Sequence, residues 1–306
     1  MLYFRDWVLL VASLSSIVAG IMWPEYGVPF RPLPIYCMTA LLFFCFLSIR
    51  LGVVLSSVRG FLPALGRYIF IKLILLPVLV YFFFRWLLPE YAVAALILTG
   101  ISSGVASPFF AGLVEANISL VFGMVVASSV LVPFTLPFLA HILVGKYMEI
   151  SLAAMSRLLG LVIFCPLIVS EILKRFTPDF AARLSKAQYG VSLVSFVVTN
   201  IGIFSQLADF LRKEPATVLI SLGVATLLAG TYFLAGMLFS LGRPLPDHLS
   251  LIIIFGFVNN VLAMVLSARF FGPLGTTVAA MYTIPFFCLI VPLRLYRNWA
   301  GKRYGA

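Results

Sequence analysis

Charge is what this sequence has least of: 10% of its 306 residues are Asp, Glu, Lys or Arg, against 63% hydrophobic. A soluble domain carries roughly 25% charged residues, so an ordinary water-exposed surface is excluded. Carboxylates are the scarcest, with 10 Asp and Glu against 21 Lys and Arg, and there are only 2 histidines. These shortages remove most catalytic chemistry. The sequence has no His-Glu-x-x-His, no paired carboxylates within an apolar run, no Ser with plausible His and acid partners, and no Gly-rich phosphate loop. No enzyme, cofactor or metal site is expected. Cys37, Cys45, Cys165 and Cys288 lie in apolar stretches without metal-ligand spacing and read as core thiols.

What the chain does have is apolar runs of about 20 residues, long enough at about 1.5 Å per residue to cross a bilayer core. Ended by charge, Gly or Pro, they give ten expected helices at 6–22, 35–55, 67–87, 92–114, 118–144, 151–173, 187–210, 216–241, 249–268 and 275–296. Stretches such as "PEYGVPFRPLP", "KRFTPDFAARLSK" and "GRPLPDH" punctuate them. A cleaved signal peptide is the alternative for the first run, but its apolar stretch exceeds a usual signal core.

Basic residues favour one side of this arrangement, with Arg50, Arg59, Arg67, Lys174, Arg175, Arg183 and Lys186 among them. That bias puts both termini in the cytoplasm, in a bacterial-type inner or plasma membrane. The net charge of +11 is then an orientation signal and an attraction to anionic lipid, and no nucleic-acid partner is expected.

Ten crossings divide into five and five, residues 1–145 and 151–306, within a single transmembrane domain spanning 1–306. A five-crossing unit reverses its orientation when repeated, as in many secondary transporters, where discontinuous helices bind substrate near mid-membrane. Corresponding helices of the two halves should then be interrupted. The fourth span carries Thr99, Gly100, Ser102, Ser103, Gly104, Ser107 and Pro108 near its centre; the ninth carries Gly256, Asn259 and Asn260. Proline and glycine loosen a helix, and the asparagines can serve backbone groups freed by a break. The blander alternatives are a proline kink in one helix and an Asn hydrogen bond between helices at the other.

At these segments the chain resembles the bile acid:sodium symporter family. "SSGVASPFFAGLVEANISLVFGMVVASS" is similar to the family's fourth and fifth helices, and "IFGFVNNVL" to its ninth, matching at Gly256, Asn259 and Leu262. The resemblance implies an all-α polytopic membrane protein: ten transmembrane helices as two inverted five-helix repeats, with helices 4 and 9 broken and crossing. It also implies that helices 3–5 and 8–10 move against helices 1, 2, 6 and 7. Its sodium ligands, however, align with Pro108, Val121, Val125, Ile254 and Val258, which offer no side-chain oxygen for a hard cation. Sodium coupling is therefore doubtful. Where the family has a glutamine in the third helix, this chain has Lys72, five residues before Pro77. Its ammonium can stand in for the cation, which makes transport proton-linked or uncoupled, or it can snorkel to the interface.

The function expected is secondary transport of a small or amphipathic organic anion by alternating access. Ser103, Ser107, Pro108, Asn259, Asn260, Thr99 and Asn200 are the candidate substrate residues, and Lys72 the candidate ion-coupling or cation-substitute residue. Asn200 is also open to a bond between helices. Phe109, Phe110, Phe255 and Phe257 offer an apolar wall for the substrate. Glu115 and His248 read as loop and interfacial groups. The alternatives are a sodium-coupled symporter with rearranged ion sites, and a membrane binding or scaffold protein without transport.

Overall fold

The computed structural model describes residues 4–49, 62–145 and 151–304. Arg50, Arg59 and the end of the second expected span lie outside them. Among the described residues the chain is helical, with no strand. Six helices are long and apolar enough to cross a membrane, or seven if one bent pair counts as a span, with shorter apolar helices beside them. The chain is a multi-pass integral membrane protein.

The first helices are α1 (Phe4–Met22), α2 (Pro24–Gly27) and α3 (Pro34–Ser48), the last two opening on proline, whose missing N–H costs nothing in a first turn. The third expected span begins at Leu62 and holds a wide turn. Between α4 (Leu62–Phe70) and α5 (Leu76–Leu87), Ile71–Leu75 forms a π-helical turn, with the Leu76 N–H on the Ile71 carbonyl. The cause is Pro77, which lacks an N–H and crowds the preceding turn; widening that turn relieves the clash.

The fourth span divides into α6 (Ala92–Gly100) and α7 (Ser107–Leu113). Beyond α7, Glu115 takes a left-handed conformation (φ 57°), and the Ala116 N–H reaches back to the Ala111 carbonyl at 3.0 Å. That closes α7 as glycine usually does. Asn117 then caps α8 (Ile118–Val144), accepting from the Leu120 N–H at 3.2 Å. Ser151 caps α9 (Leu152–Phe176) in the same way.

The stretches that punctuate the expected spans are themselves partly helical, as α2 shows for the first of them. Within "KRFTPDFAARLSK", Pro178 at the first position and Asp179 in the first turn start α10 (Pro178–Ser185). It leads to α11 (Gln188–Lys213) and α12 (Pro215–Phe239). The ninth span starts earlier than expected and divides into α13 (Leu245–Gly256) and α14 (Asn260–Phe270). The last runs as α15 (Gly272–Met281), α16 (Thr283–Cys288) and α17 (Ile290–Tyr304).

Packing sorts these elements into two groups. α3 lies against α9 and α11, and α1 against α11; α6 packs on α5 and α15, α12 on α13 and α15, and α14 on α15. α8 and α9 join the groups. Long cations close helix ends in the first: Lys174 Nζ donates to the carbonyls of Phe46 (3.0 Å) and Ile49 (2.6 Å), and Arg212 Nη2 to those of Ile21 and Met22.

Candidate transport site

α6 stops because Ile101 turns to an extended conformation (φ −73°, ψ 159°), and α13 stops at Phe257 (φ −94°, ψ 79°). The two breaks meet. Ser103 and Val258 form an antiparallel bridge, the Gly104 N–H donates to the Phe257 carbonyl at 2.6 Å, and the Asn259 N–H to the Ser102 carbonyl at 2.9 Å. Inside a membrane no water would satisfy these groups, so irregular backbone persists only where protein supplies partners. Here each break supplies the other. Glycine is required at 104 by the close approach: a Cβ there would lie 2.8 Å from the Phe257 oxygen and 2.9 Å from that of Val258.

The polar side chains complete the joint. Ser103 Oγ donates to the Ile254 carbonyl and Ser107 Oγ to that of Phe257, both at 3.0 Å. Asn259 caps α14, its Oδ1 accepting from the Leu262 N–H at 3.3 Å, while Asn260 Nδ2 donates to Thr283 Oγ1 at 3.0 Å. Pro108 sits in the first turn of α7, where it starts a helix rather than kinking one. Thr99 Oγ1 donates to the Ala95 carbonyl at 2.6 Å and so accepts from the Tyr232 hydroxyl at 2.7 Å.

Two atoms at this junction are left over. Asn259 Nδ2 and Ser102 Oγ are buried and have no hydrogen-bond partner among the described residues. A buried polar atom without a partner costs about 1–3 kcal/mol, so both are poised for a polar guest.

A model of the sodium bile acid symporter family matches residues 37–214, more than half of the chain. The chain belongs to this family. It is a membrane transporter and not an enzyme, as the members of the family are. No curated protein matches it. The family match takes in the first break and ends before the second.

As a member of the sodium bile acid symporter family, the chain is apolar where the sequence resemblance expects side-chain oxygens. Val121, Val125, Ile254 and Val258, which the sequence resemblance sets opposite the family's sodium ligands, are buried and apolar. The carbonyls freed around the second break each accept from the chain: Ile254 from Ser103, Phe257 from Gly104 and Ser107, Val258 from the Asn260 N–H, and Gly256 from the Tyr282 hydroxyl at 2.7 Å.

Lys72 does not snorkel. It is 1% exposed, at the π-helical turn, with Nζ 5.7 Å from the centre of the Phe255 ring, within cation–π range. Phe255 is the residue before Gly256, so the ammonium reaches the end of α13. Among the described residues it makes no ion pair. Asn200 Nδ2 donates to Ser16 Oγ at 3.0 Å, tying α11 to α1.

The expected aromatic wall is a packed cluster. Phe110 stacks on Phe257 (4.2 Å), and both meet Phe286 edge to face, while Phe109 is exposed. Sequence reasoning placed Ser102 at the break without making it a site residue, and it missed Tyr232, Tyr282 and Thr283; all four are buried. "MYTIP", with two hydroxyl residues in mid-span before a proline, was the available signal for the last two. It missed Ser128 as a partner too; its Oγ accepts from the Ser103 N–H at 3.1 Å.

Proposed function

We propose that this transporter carries a small organic anion by alternating access, with the joined breaks as its binding site and without sodium as the coupling ion. The proposed architecture is ten transmembrane helices in two inverted five-helix repeats, residues 1–145 and 151–306, with both termini cytoplasmic. The observation that carries the reading is the unpartnered Asn259 amide at the start of α14. A helix N-terminus presents unbonded N–H groups and the positive end of its dipole, and both favour an anion. Asn259 Nδ2 and Ser102 Oγ add donors that a carboxylate or sulfonate would complete.

The side chains support the absence of sodium. A sodium ion needs several oxygens, and Val121, Val125, Ile254 and Val258 bring none from their buried side chains. Lys72 supplies the positive charge in its place, either fixed or exchanging a proton during the cycle. Its buried ammonium offsets the charge of an anion entering the joint.

The test is thermal unfolding of the purified protein against a panel of bile acids, keto acids and short hydroxy acids, in sodium chloride and in choline chloride. A ligand that binds only the native state raises the midpoint by mass action. The reading expects stabilisation by at least one anion, equal in the two salts. A shift seen only in sodium would overturn the coupling, and no shift with any anion would overturn the site.

A further inference from the structure

α9 and α11 are both long and apolar enough to cross a bilayer, and only Thr177 separates the end of α9 from α10. α10 therefore lies at the membrane surface, on the side where α9 ends. One face of it is packed: Ala181 is buried, Leu184 and Ser185 are half-buried, and the helix rests on α9 and α3. Asp179, Phe180, Ala182 and Arg183 are exposed, and so is Lys186 just past its end. Packed positions three and four residues apart, with polar and charged ones between them, are the pattern of a short helix lying along an interface.

Two properties of the exposed surface point to one occupant. The first is aromatic: Phe176, the last residue of α9, is 73% exposed and Phe180 is 55% exposed. Large apolar rings at the height of the headgroups find acyl chains beneath them. The second is charge. Lys174 is engaged, donating to the Phe46 and Ile49 carbonyls and pairing with Glu171. Arg175, Arg183 and Lys186 are exposed and make no ion pair among the described residues. Asp179, in the first turn of α10, suits the positive end of the helix dipole and is the one carboxylate of that helix. Arg175 also lies over the Phe176 ring, 5.9 Å from its centre, so cation and aromatic are presented together. An acidic soluble protein would answer the cations and leave the two rings in water. A lipid with a negative headgroup answers both.

We propose that α10 and the end of α9 form a binding surface for anionic phospholipid, with Arg175, Arg183 and Lys186 on the headgroup phosphates and Phe176 and Phe180 among the acyl chains. A guanidinium can take two phosphate oxygens at once, which suits Arg175 and Arg183 to this task. Basic residues close to an anionic leaflet add their attractions, so three cations hold where one would not. The same corner is tied from within by Lys174, which joins the end of α3 to α9. Bound lipid closes it from without. None of these residues takes part in the joint of α6 with α13.

Hydrogen–deuterium exchange of the full-length protein in bilayer discs of phosphatidylcholine, with and without phosphatidylglycerol, tests this. In the wild type, phosphatidylglycerol should slow exchange roughly five- to ten-fold across residues 177–187. High salt should remove most of that protection, because exposed charges are screened. Arg175→Gln, Arg183→Gln and Lys186→Gln combined should exchange alike in the two lipids, with the rest of the chain as protected as in the wild type. Phe176→Ser with Phe180→Ser keeps the cations and should keep only part of the protection. Inorganic phosphate added to phosphatidylcholine discs should give none. No slowing in the wild type, or equal slowing in the glutamine variant, would overturn the proposal. Full protection in the serine variant, or protection by free phosphate equal to that by lipid, would overturn it as well, because the surface would then read a free anion rather than a lipid.

Discussion

The backbone N–H of Asn259 donates to the carbonyl of Ser102 at 2.9 Å, across 157 positions of sequence, so the two helix interruptions are one joint. A kink in either helix alone would need a local partner for its freed groups. Here the partner is the other break, and each exists because the other does. Four predictions follow from that joint and the elements that hold it.

Asn259→Asp separates the cap from the site. Aspartate caps a helix as well as asparagine does, so the acceptor for Leu262 N–H survives, while the free Nδ2 donor becomes a carboxylate oxygen. The unfolding midpoint without ligand should stay within a few degrees of wild type. Stabilisation by the anion that binds the wild type should vanish, since donor and charge both turn against it. Retained anion binding would remove Asn259 from the site.

Gly104→Ala should force the breaks apart. The added Cβ meets the backbone oxygens of Phe257 and Val258 at 2.8 and 2.9 Å, neither of which can swing aside. Overpacking of this kind costs about 1–3 kcal/mol. The thermal midpoint in detergent should fall and anion binding should be lost with it. A variant as stable as wild type would contradict the tight approach.

Lys72→Met should stabilise the protein and impair its cycle. A lysine at mid-bilayer costs about 2.5–3.5 kcal/mol on insertion scales, and Lys72 has no ionic partner among the described residues to offset that. Methionine fills the same space without the charge. The expected result is a raised midpoint together with weaker binding of the organic anion. A lowered midpoint would show the ammonium to be structural.

Lys174→Met should do the reverse. This ammonium bonds the Phe46 and Ile49 carbonyls at the end of α3 and pairs with Glu171. Hydrogen bonds from charged groups contribute about 1.5–3 kcal/mol each, so the midpoint should drop. Because Lys174 holds α3 to α9, away from the joint, the remaining folded protein should bind the anion as wild type does.

Much of the fold was legible because hydrophobic length is a local property. The run 118–144 is a helix over the same residues, since Asn117 and Gly145 bound it in sequence as they do in space. The interruptions at 101–106 and 257–259 were legible too, because Gly, Pro, Ser and Asn in mid-span conflict with a continuous helix whatever surrounds them. "KRFTPDFAARLSK" does separate two spans, but its own short helix went unread when only hydrophobicity was followed; Pro178 and Asp179 carried that signal. Asn200 shows the opposite limit. Its chemistry suits a substrate or a neighbouring helix equally well, and only the fold brings its amide to Ser16 on α1.

Composition and spacing alone determined that this chain lives in a membrane, that it crosses many times, and that two of its segments break. Those outcomes depend on transfer free energies and backbone propensities that each residue carries with it. Tertiary structure decided what the polar residues do. Ser103 and Ser107 serve the carbonyls of the opposite break, Lys72 turns inward to Phe255, and His248 joins α13 to α17. The partners concerned lie far off along the chain, and a hydrogen bond depends on where its partner stands in space.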